Sequence, residues 1–427
     1  MAQLPLLDVS ASPRRLETYI ERDGQTLRIP EGLQTIPCTH GMHRFPGKFI
    51  PNLPRYLIRS ILRDHGSHTL CDPFCGSGTT LVEAALEGKS FVGMDIDPLA
   101  VAIAHAKTQP LSEDELILIE RHWRDHDYRL ERPELIPQVP NLLHWFPRET
   151  VSQLSGIKFR CLCLPPGPQL FCLIVFSSII RRVSNADDQT QKTYVSHTLP
   201  KKPPTPSEIF PIFLRRATEG MREYSCRLPG PIVGKVVKGD ARSLPDLEFD
   251  DILTSPPYID SIDYVYNQML EYFWLLPELG LNNYEEYRSL RRVPMGLSLA
   301  KPRRPDCVEP SLSRATRQEY RAACAEIRKS SPKEDTIVRA FFHDLVVHFG
   351  QMYERQRSGA TYICIIGNST IRGVTVPTVD LVMDLLQSPG YKLADRMKYE
   401  IRRHYMKFPR RSNSGKIQQD HILVFHR

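Results

Sequence analysis

One stretch constrains the fold more than any other: HTLCDPFCGSGTTLVEAALEGKSFVGMDIDPLAVAIAHA, residues 68–106. An apolar run ends at Asp72 and breaks into a loop with glycines at positions 76 and 78. TTLVEAALE then reads as a helix, with Gly88 placed to cap its C-terminal end. SFVGMDID is a second apolar run. Asp97-Pro98 after it is an N-cap followed by proline at the first helical position. Strand, loop, helix, strand and helix in that order make a βαβ unit, which predicts a parallel sheet.

The rest of the chain extends this pattern with two interruptions. PNLPRYLIRSILRD, residues 51–64, places Leu53, Leu57, Ile58, Ile61 and Leu62 on one helical face. The alternation breaks over Gln109 to Gly234. That segment holds a helical piece near Glu113 to Arg124, the aromatic LLHWFP and the linker PKKPPTP. It resumes with KVVKGDA and DDILTSPP, then the aromatic helix IDYVYNQMLEYFWLL, where Phe273 and Trp274 read as core. Residues 281–335 read as polar, arginine-rich and irregular. TYICIIGN is a buried strand, and YKLADRMKYEIRRHYM and QDHILVFHR are two final strands joined by the basic loop KFPRRSNSGK. The expectation is an α/β fold: a doubly wound, mostly parallel sheet of about seven strands with two large insertions. Residues 1–108 form one half of the main domain, 109–234 an insertion, and 235–427 the second half with a smaller insertion at 281–335.

Composition sorts the classes of partner. The 427-residue chain has a net charge of +7. From Ile371 to the end, 11 Lys and Arg face 5 Asp and Glu, so most of the surplus is C-terminal, which suits nucleic acid. Ten cysteines include no CxxC pair, and Cys161 and Cys163 have a poor zinc spacing, so reduced cysteines and no metal are expected. MAQLPLLDVSASPRR lacks the long apolar core of a signal peptide. The most apolar run, CLCLPPGPQLFCLIVFSSII, is broken by three prolines, and its continuous part, Leu170 to Ile180, is too short to span a bilayer. The expected location is the cytoplasm.

The glycine loop is the first site candidate. Gly76 and Gly78 permit a tight turn and close approach of a ligand, and the helix behind them favours anionic groups. The loop matches neither the dinucleotide fingerprint nor a P-loop. The next strand ends in GMDID, where an acid can bind both hydroxyls of a ribose; Asp95 takes that role because Asp97 reads as the N-cap. Asp240, in KGDARSLP, is placed to accept a hydrogen bond from an adenine amino group. Three strand ends thus converge on an adenosine-type ligand, with Phe74 packing beside it.

DPFCGSGT together with TSPPY resembles the amino-methyltransferases, which move a methyl group from S-adenosylmethionine to an exocyclic nitrogen of a base. FPGKFIPNLPRYLI, from Phe45, is similar to that family's cofactor-binding segment. The resemblance covers Met42 to Thr108 and Lys235 to Leu276, and returns more weakly from Thr361 onward. It implies a Rossmann-like methyltransferase sheet with adjacent first and fourth strands, so that the glycine loop and the SPPY loop flank one cleft. The cofactor contacts it implies are Phe45, Pro46, Lys48, Asp72, Phe74, Gly76, Gly78, Thr79, Asp95 and Asp240. Serine before the two prolines is the form the family mostly uses for cytosine N4, and TSPPYIDSIDYVY most resembles bacterial cytosine-N4 DNA methyltransferases. Double-stranded DNA is then the substrate, and a restriction endonuclease or other defence-system protein a possible partner.

The chemistry explains the stiff loop. The exocyclic amine of cytosine is a poor nucleophile because its lone pair is delocalised into the ring. The Ser255 hydroxyl and Pro256 carbonyl are placed to accept from that amine, Pro256 and Pro257 fix the backbone, and Tyr258 stacks on a flipped-out base. Direct transfer to an exocyclic amine needs no covalent enzyme intermediate and so no cysteine nucleophile, unlike methylation at C5. Asp260 and Asp263 are expected to cap or support the following helix. Target reading is assigned to the 109–234 insertion, aided by 281–335, with Arg181, Arg182, Asn185, Gln189, Gln191 and Lys192 as candidate DNA contacts and Arg410 and Arg411 holding the backbone near the cleft. Adenine-N6 methylation, RNA base methylation and a non-catalytic nucleic-acid-binding subunit stay open as alternatives.

Overall fold

The computed structural model of the protein describes residues 20–28, 36–63, 68–124, 130–187, 192–196, 198, 200–259, 263–296, 312–400 and 419–427. Its strands are β1 (Glu21–Asp23), β2 (Thr26–Arg28), β3 (Leu70–Asp72), β4 (Phe91–Asp95), β5 (Gly234–Lys238), β6 (Asp251–Thr254), β7 (Thr361–Ile366), β8 (Ser369–Ile371), β9 (Val374–Val376), β10 (Lys392–Glu400) and β11 (Gln419–His426). Nine of them form one sheet in the order β1-β2-β10-β11-β7-β6-β3-β4-β5. The pairs from β5 through β4, β3 and β6 to β7 are all parallel. β11 is antiparallel to both β7 and β10. The expected seven strands are β3 to β7, β10 and β11, and the expected adjacency of the first and fourth is the β3–β6 pair. The hairpin β1–β2 adds two more at the β10 edge; at three residues each these strands carry too short a pattern to register in sequence.

Side chains on the central strands alternate between two cores, as a sheet buried on both faces requires. Ile363 and Ile365 of β7, with Ile422 and Val424 of β11, face one hydrophobic cluster. Tyr362, Cys364 and Ile366, with Leu423 and Phe425, face the other. The helices on the first face are α1 (Asn52–Ser60), α2 (Thr79–Leu86), α3 (Pro98–Thr108), α4 (Glu113–Arg124), α5 (Leu142–Trp145), α6 (Arg148–Leu162), α7 (Pro166–Val183), α8 (Pro206–Arg227), α9 (Tyr264–Asn267), α10 (Met269–Leu275) and α11 (Tyr284–Leu290). The second face is covered by α12 (Arg314–Ser330), α13 (Pro332–Arg355) and α14 (Thr378–Gln387).

Local chemistry sets the ends of these elements. Gly88, at φ +72°, lets its own N–H reach the Ala85 carbonyl and the Lys89 N–H reach that of Ala84, a Schellman stop for α2. Asp97 caps α3, its carboxylate accepting from the N–H groups of Leu99 and Ala100. Asp263 caps α9 through the Tyr266 N–H and pairs with Arg291 at 2.8 Å; Asp260 lies outside the described residues.

Two sequence readings change. The 109–234 segment is largely helical, and α4 and α6 to α8 share one core with α2 and α3. The apolar run from Leu170 to Ile180 is the middle of α7, buried there by packing. Residues 281–335 contain α11, α12 and the start of α13. Their arginines and glutamates mask an apolar stripe at Tyr320, Ala323, Cys324 and Ile327, all buried. Phe273 and Trp274 are core, as their spacing predicts.

A buried charge network locks α1 to α2. The Arg55 guanidinium donates to both oxygens of Glu83, and Glu83 Oε1 also meets His40 Nε2 at 2.7 Å. Burial would raise the Glu83 pKa, but His40 and Arg55 outweigh it and hold the carboxyl below the ordinary glutamate range. Glu83→Ala removes the buried carboxylate that both Arg55 and His40 hold, so a loss of about 3–5 kcal/mol is expected. Urea unfolding monitored by circular dichroism checks it; an unchanged midpoint and slope would count against the network.

Candidate cofactor and target-base site

The carboxyl ends of the parallel strands carry the site, and each loop there is held by named bonds. The Cys75 N–H donates to the Met94 carbonyl, tying the glycine loop to β4. Gly76 and Gly78 sit at φ +49° and +75°, in the left-handed region. A Cβ on Gly78 would lie 2.9 Å from Ala104 Cβ, so this glycine also lets α3 pack directly against the loop. A Cβ on Gly76 would lie 3.1 Å from the Phe45 ring, which covers the loop from outside. Phe45 in turn stacks on Tyr264 of α9, with ring centroids 5.8 Å apart. Pro46 beside it is half-buried. Lys48 Nζ donates to the carbonyls of His40 and His43, which staples this segment, and burial lowers its pKa to about 8.

The acids take distinct positions. Asp95 Oδ2 accepts from the Gly76 N–H at 2.8 Å and Oδ1 from the Asp97 N–H at 3.0 Å. Burial first, and the neighbouring Asp97 charge second, push its pKa up to about 7. Asp72 is fully buried; its Oδ1 accepts from the Phe74 N–H and from Thr254 Oγ1 at 2.7 Å. That bond ties the end of β3 to the last residue of β6, immediately before Ser255. Burial raises the Asp72 pKa to about 6, against the pull of these donors. Asp240 is half-buried, with both carboxylate oxygens engaged by Arg242. Phe74 is half-buried with its ring against His348 of α13, 4.8 Å between centroids.

Beyond Thr254, Pro256 is buried while Ser255, Pro257 and Tyr258 are half-buried. The Tyr258 hydroxyl donates to Asp420 Oδ1 at 2.7 Å.

The expected DNA contacts divide. Arg181 is only 8% exposed, and its guanidinium donates to the carbonyls of Asp187, Lys192 and Asn267. It is a clamp holding Asp187 and Lys192 to α9, so its charge is spent inside the protein. The Tyr266 hydroxyl donates to the Thr193 carbonyl and completes that junction. Asn185 is half-buried and bonds the His144 carbonyl, whereas Arg182 and Lys192 are exposed. Gln189, Gln191, Arg410 and Arg411 lie outside the described residues.

Sequence reasoning missed four contributors: Lys107, Thr254, Tyr264 and Asp420. Lys107 is fully buried, and its Nζ donates to the Ser77 carbonyl at 2.7 Å, pinning the glycine loop from behind. A lysine three residues after Ala104 on the buried face of α3 was the available signal.

The residues present fit S-adenosylmethionine. Ser77 Oγ and Thr79 Oγ1, in and just after the glycine loop, are buried polar atoms with no hydrogen-bond partner among the described residues. They adjoin the start of α2, whose first N–H groups have no helical acceptor. The family described as "DNA methylase" matches residues 22–106, the segment that carries the glycine loop and Asp95. Type II methyltransferase M.MvaI of Kocuria varians is 25% identical over 385 residues, 83% of this chain and 82% of that protein. Type II methyltransferase M.BsoBI of Geobacillus stearothermophilus is 28% identical over 61% of this chain and 56% of its own length. Type II methyltransferase M.MjaII of Methanocaldococcus jannaschii is 41% identical over a shorter stretch of 70 residues, 16% of this chain and 13% of its own. Fold, glycine loop and relatives together define a methyltransferase whose methyl donor is S-adenosylmethionine. The chain is similar to amino-methyltransferases of the restriction–modification type.

Proposed function

We propose that this protein is a site-specific DNA methyltransferase acting on the exocyclic N4 amine of a flipped-out cytosine. The observation that carries the reading is the Thr254–Asp72 hydrogen bond, which holds the glycine loop and the Ser-Pro-Pro-Tyr loop side by side at the carboxyl edge of the sheet. A methyl donor on one loop and an amine on the other are then neighbours. The serine form of the second loop favours cytosine over adenine.

Bound S-adenosylmethionine supplies an electrophilic methyl group. Thr79 and Ser77 hold its carboxylate end with the start of α2, while Phe45 covers it. Asp95 accepts from the ribose hydroxyls. Phe74 packs beside the adenine, and Asp240 accepts from the adenine amine while held by Arg242. On the other side, the Ser255 hydroxyl and Pro256 carbonyl accept from the target amine and turn its lone pair toward the methyl group. The two prolines deny the loop backbone freedom, so the alignment costs little entropy at the reacting moment. Tyr258 stacks on the base. After transfer the extra amine proton leaves to solvent. Arg182 and Lys192, exposed near Arg181, contact phosphates, and the same role is assigned to Arg410 and Arg411. A restriction endonuclease of the same specificity is the partner this activity calls for.

The test offers isotopically labelled S-adenosylmethionine with unmethylated duplex DNA and, separately, bulk RNA, followed by digestion and mass spectrometry of the nucleosides. Label in N4-methylcytosine from DNA is expected. Label in N6-methyladenine overturns the base assignment, and label in RNA alone overturns the DNA substrate.

A further inference from the structure

The antiparallel strand β11 enters the sheet at its carboxyl edge, because His421 lies opposite Ile366, the last residue of β7. Asp420, one residue earlier, therefore stands just past the end of β7. The Ser-Pro-Pro-Tyr loop leaves β6, the neighbour of β7 on its other side, at the same edge. This juxtaposition lets the Tyr258 hydroxyl reach Asp420 Oδ1 at 2.7 Å, across 162 residues of sequence. Tyr399 on β10 is the sheet partner of Asp420 and is itself buried, so the acid sits against a closed wall.

We propose that Asp420 is the positioning residue for Tyr258: it anchors the far end of the ring so that one fixed aromatic face is offered to the target base. The inference rests on the stacking role given to Tyr258 above. Pro256 and Pro257 fix the backbone φ angles before the tyrosine, but two side-chain torsions stay free after them. A hydrogen bond at the para position of the ring restrains both. An acceptor paired in the sheet, as Asp420 is with Tyr399, is a more rigid anchor than one on a loop. Bonds from a hydroxyl to a carboxylate are also stronger than neutral ones. Burial and the facing acid raise the phenol pKa well above its ordinary range, so the hydroxyl keeps its proton for this bond.

The experiment uses the full chain, tritium-labelled S-adenosylmethionine and unmethylated amplified bacterial genomic DNA. Asp420→Leu keeps the branched shape and removes the acceptor; Asp420→Asn keeps an acceptor oxygen. Asp420→Leu is expected to lower kcat on the order of ten- to a hundredfold with the cofactor Kd unchanged, and Asp420→Asn to stay within about threefold of the parent. Tyr258→Phe, which keeps the ring and loses the hydroxyl, should fall as Asp420→Leu does. The double variant Tyr258→Phe/Asp420→Leu should be no worse than either single, because both remove one bond. Losses that multiply in the double variant overturn the proposal. So does an asparagine variant as poor as the leucine one, or a leucine variant whose loss lies in cofactor affinity or Tm alone. The parent enzyme tests the functional reading separately: if it labels only RNA, the DNA assignment fails, and the same four variants are compared on that RNA.

Discussion

Tyr258→Ala is expected to leave S-adenosylmethionine binding intact and to lower the rate of methyl transfer about a hundredfold or more. Base–aromatic stacking is worth about 1–3 kcal/mol per base, which alone spans roughly five- to 150-fold. The alanine also removes the donor that satisfies Asp420 and frees the end of the loop, so the loss should lie at the upper end of that range. The cofactor half of the site does not depend on this ring. Asp95 is held by the N–H groups of Gly76 and Asp97, and the Ser77 carbonyl by Lys107. The measurement is a pair: cofactor affinity by equilibrium dialysis, and kcat and KM with labelled donor on unmethylated DNA. A variant that loses cofactor affinity in proportion to rate would show that Tyr258 supports the cofactor pocket and not the base.

How much of this was legible in the sequence depended on how local each determinant was. The βαβ unit at 68–106 was readable because Gly88, Asp97 and Pro98 act within one turn of where they stand. The glycine loop and SPPY loop were readable because each is a contiguous motif. Asp97 as cap and Asp95 as the acid facing the loop follow from the same few residues. What was not readable came from contacts between distant segments. Arg181 looked like a basic DNA contact because it sits beside Arg182 and Asn185. Only the fold shows that its position on α7 turns it into the junction with α9, where carbonyl oxygens consume its charge. Asp420 carried no signal, because its partner lies across the sheet. The 281–335 segment misled for a different reason: its exposed helical faces are so rich in Arg, Lys and Glu that composition outweighed the apolar stripe beneath.

S-adenosylmethionine should bind about tenfold more weakly at pH 6 than at pH 8, and Asp95→Asn should remove most of that dependence. The Asp95 carboxyl has two oxygens already receiving N–H bonds from Gly76 and Asp97, and burial with the Asp97 charge raises its pKa to about 7. A ribose hydroxyl donates best to the ionised form, and the positive sulfonium favours that form too. With a pKa of about 7 the acid is mostly protonated at pH 6 and mostly ionised at pH 8, which gives the tenfold ratio if the anion is the binding form. Asp72, with its pKa at about 6, adds protonation at the acid end of this window; Asp97 is raised as well but is committed to capping α3. The sign is opposite for folding without the cofactor. A carboxyl whose folded pKa is raised stabilises the protein fully below the unfolded value of about 3.9 and loses that contribution as pH rises through 7. His40 and His43, lowered by burial to about 4 and about 3, act against it, because stability falls as the unfolded chain takes up their protons below pH 6.5. The contributions of Asp95 to affinity and to stability therefore move in different directions with pH, and calorimetric titration of the cofactor separates them from a thermal melt of the free protein. At pH 8 Asp95→Asn should weaken binding by about 1.5–3 kcal/mol, roughly ten- to a hundredfold, because a hydrogen bond to a charged acceptor is lost. A variant that keeps the parent affinity, or keeps the parent slope between pH 6 and 8, would move the ribose to another acceptor and leave Asp95 as a brace for the glycine loop.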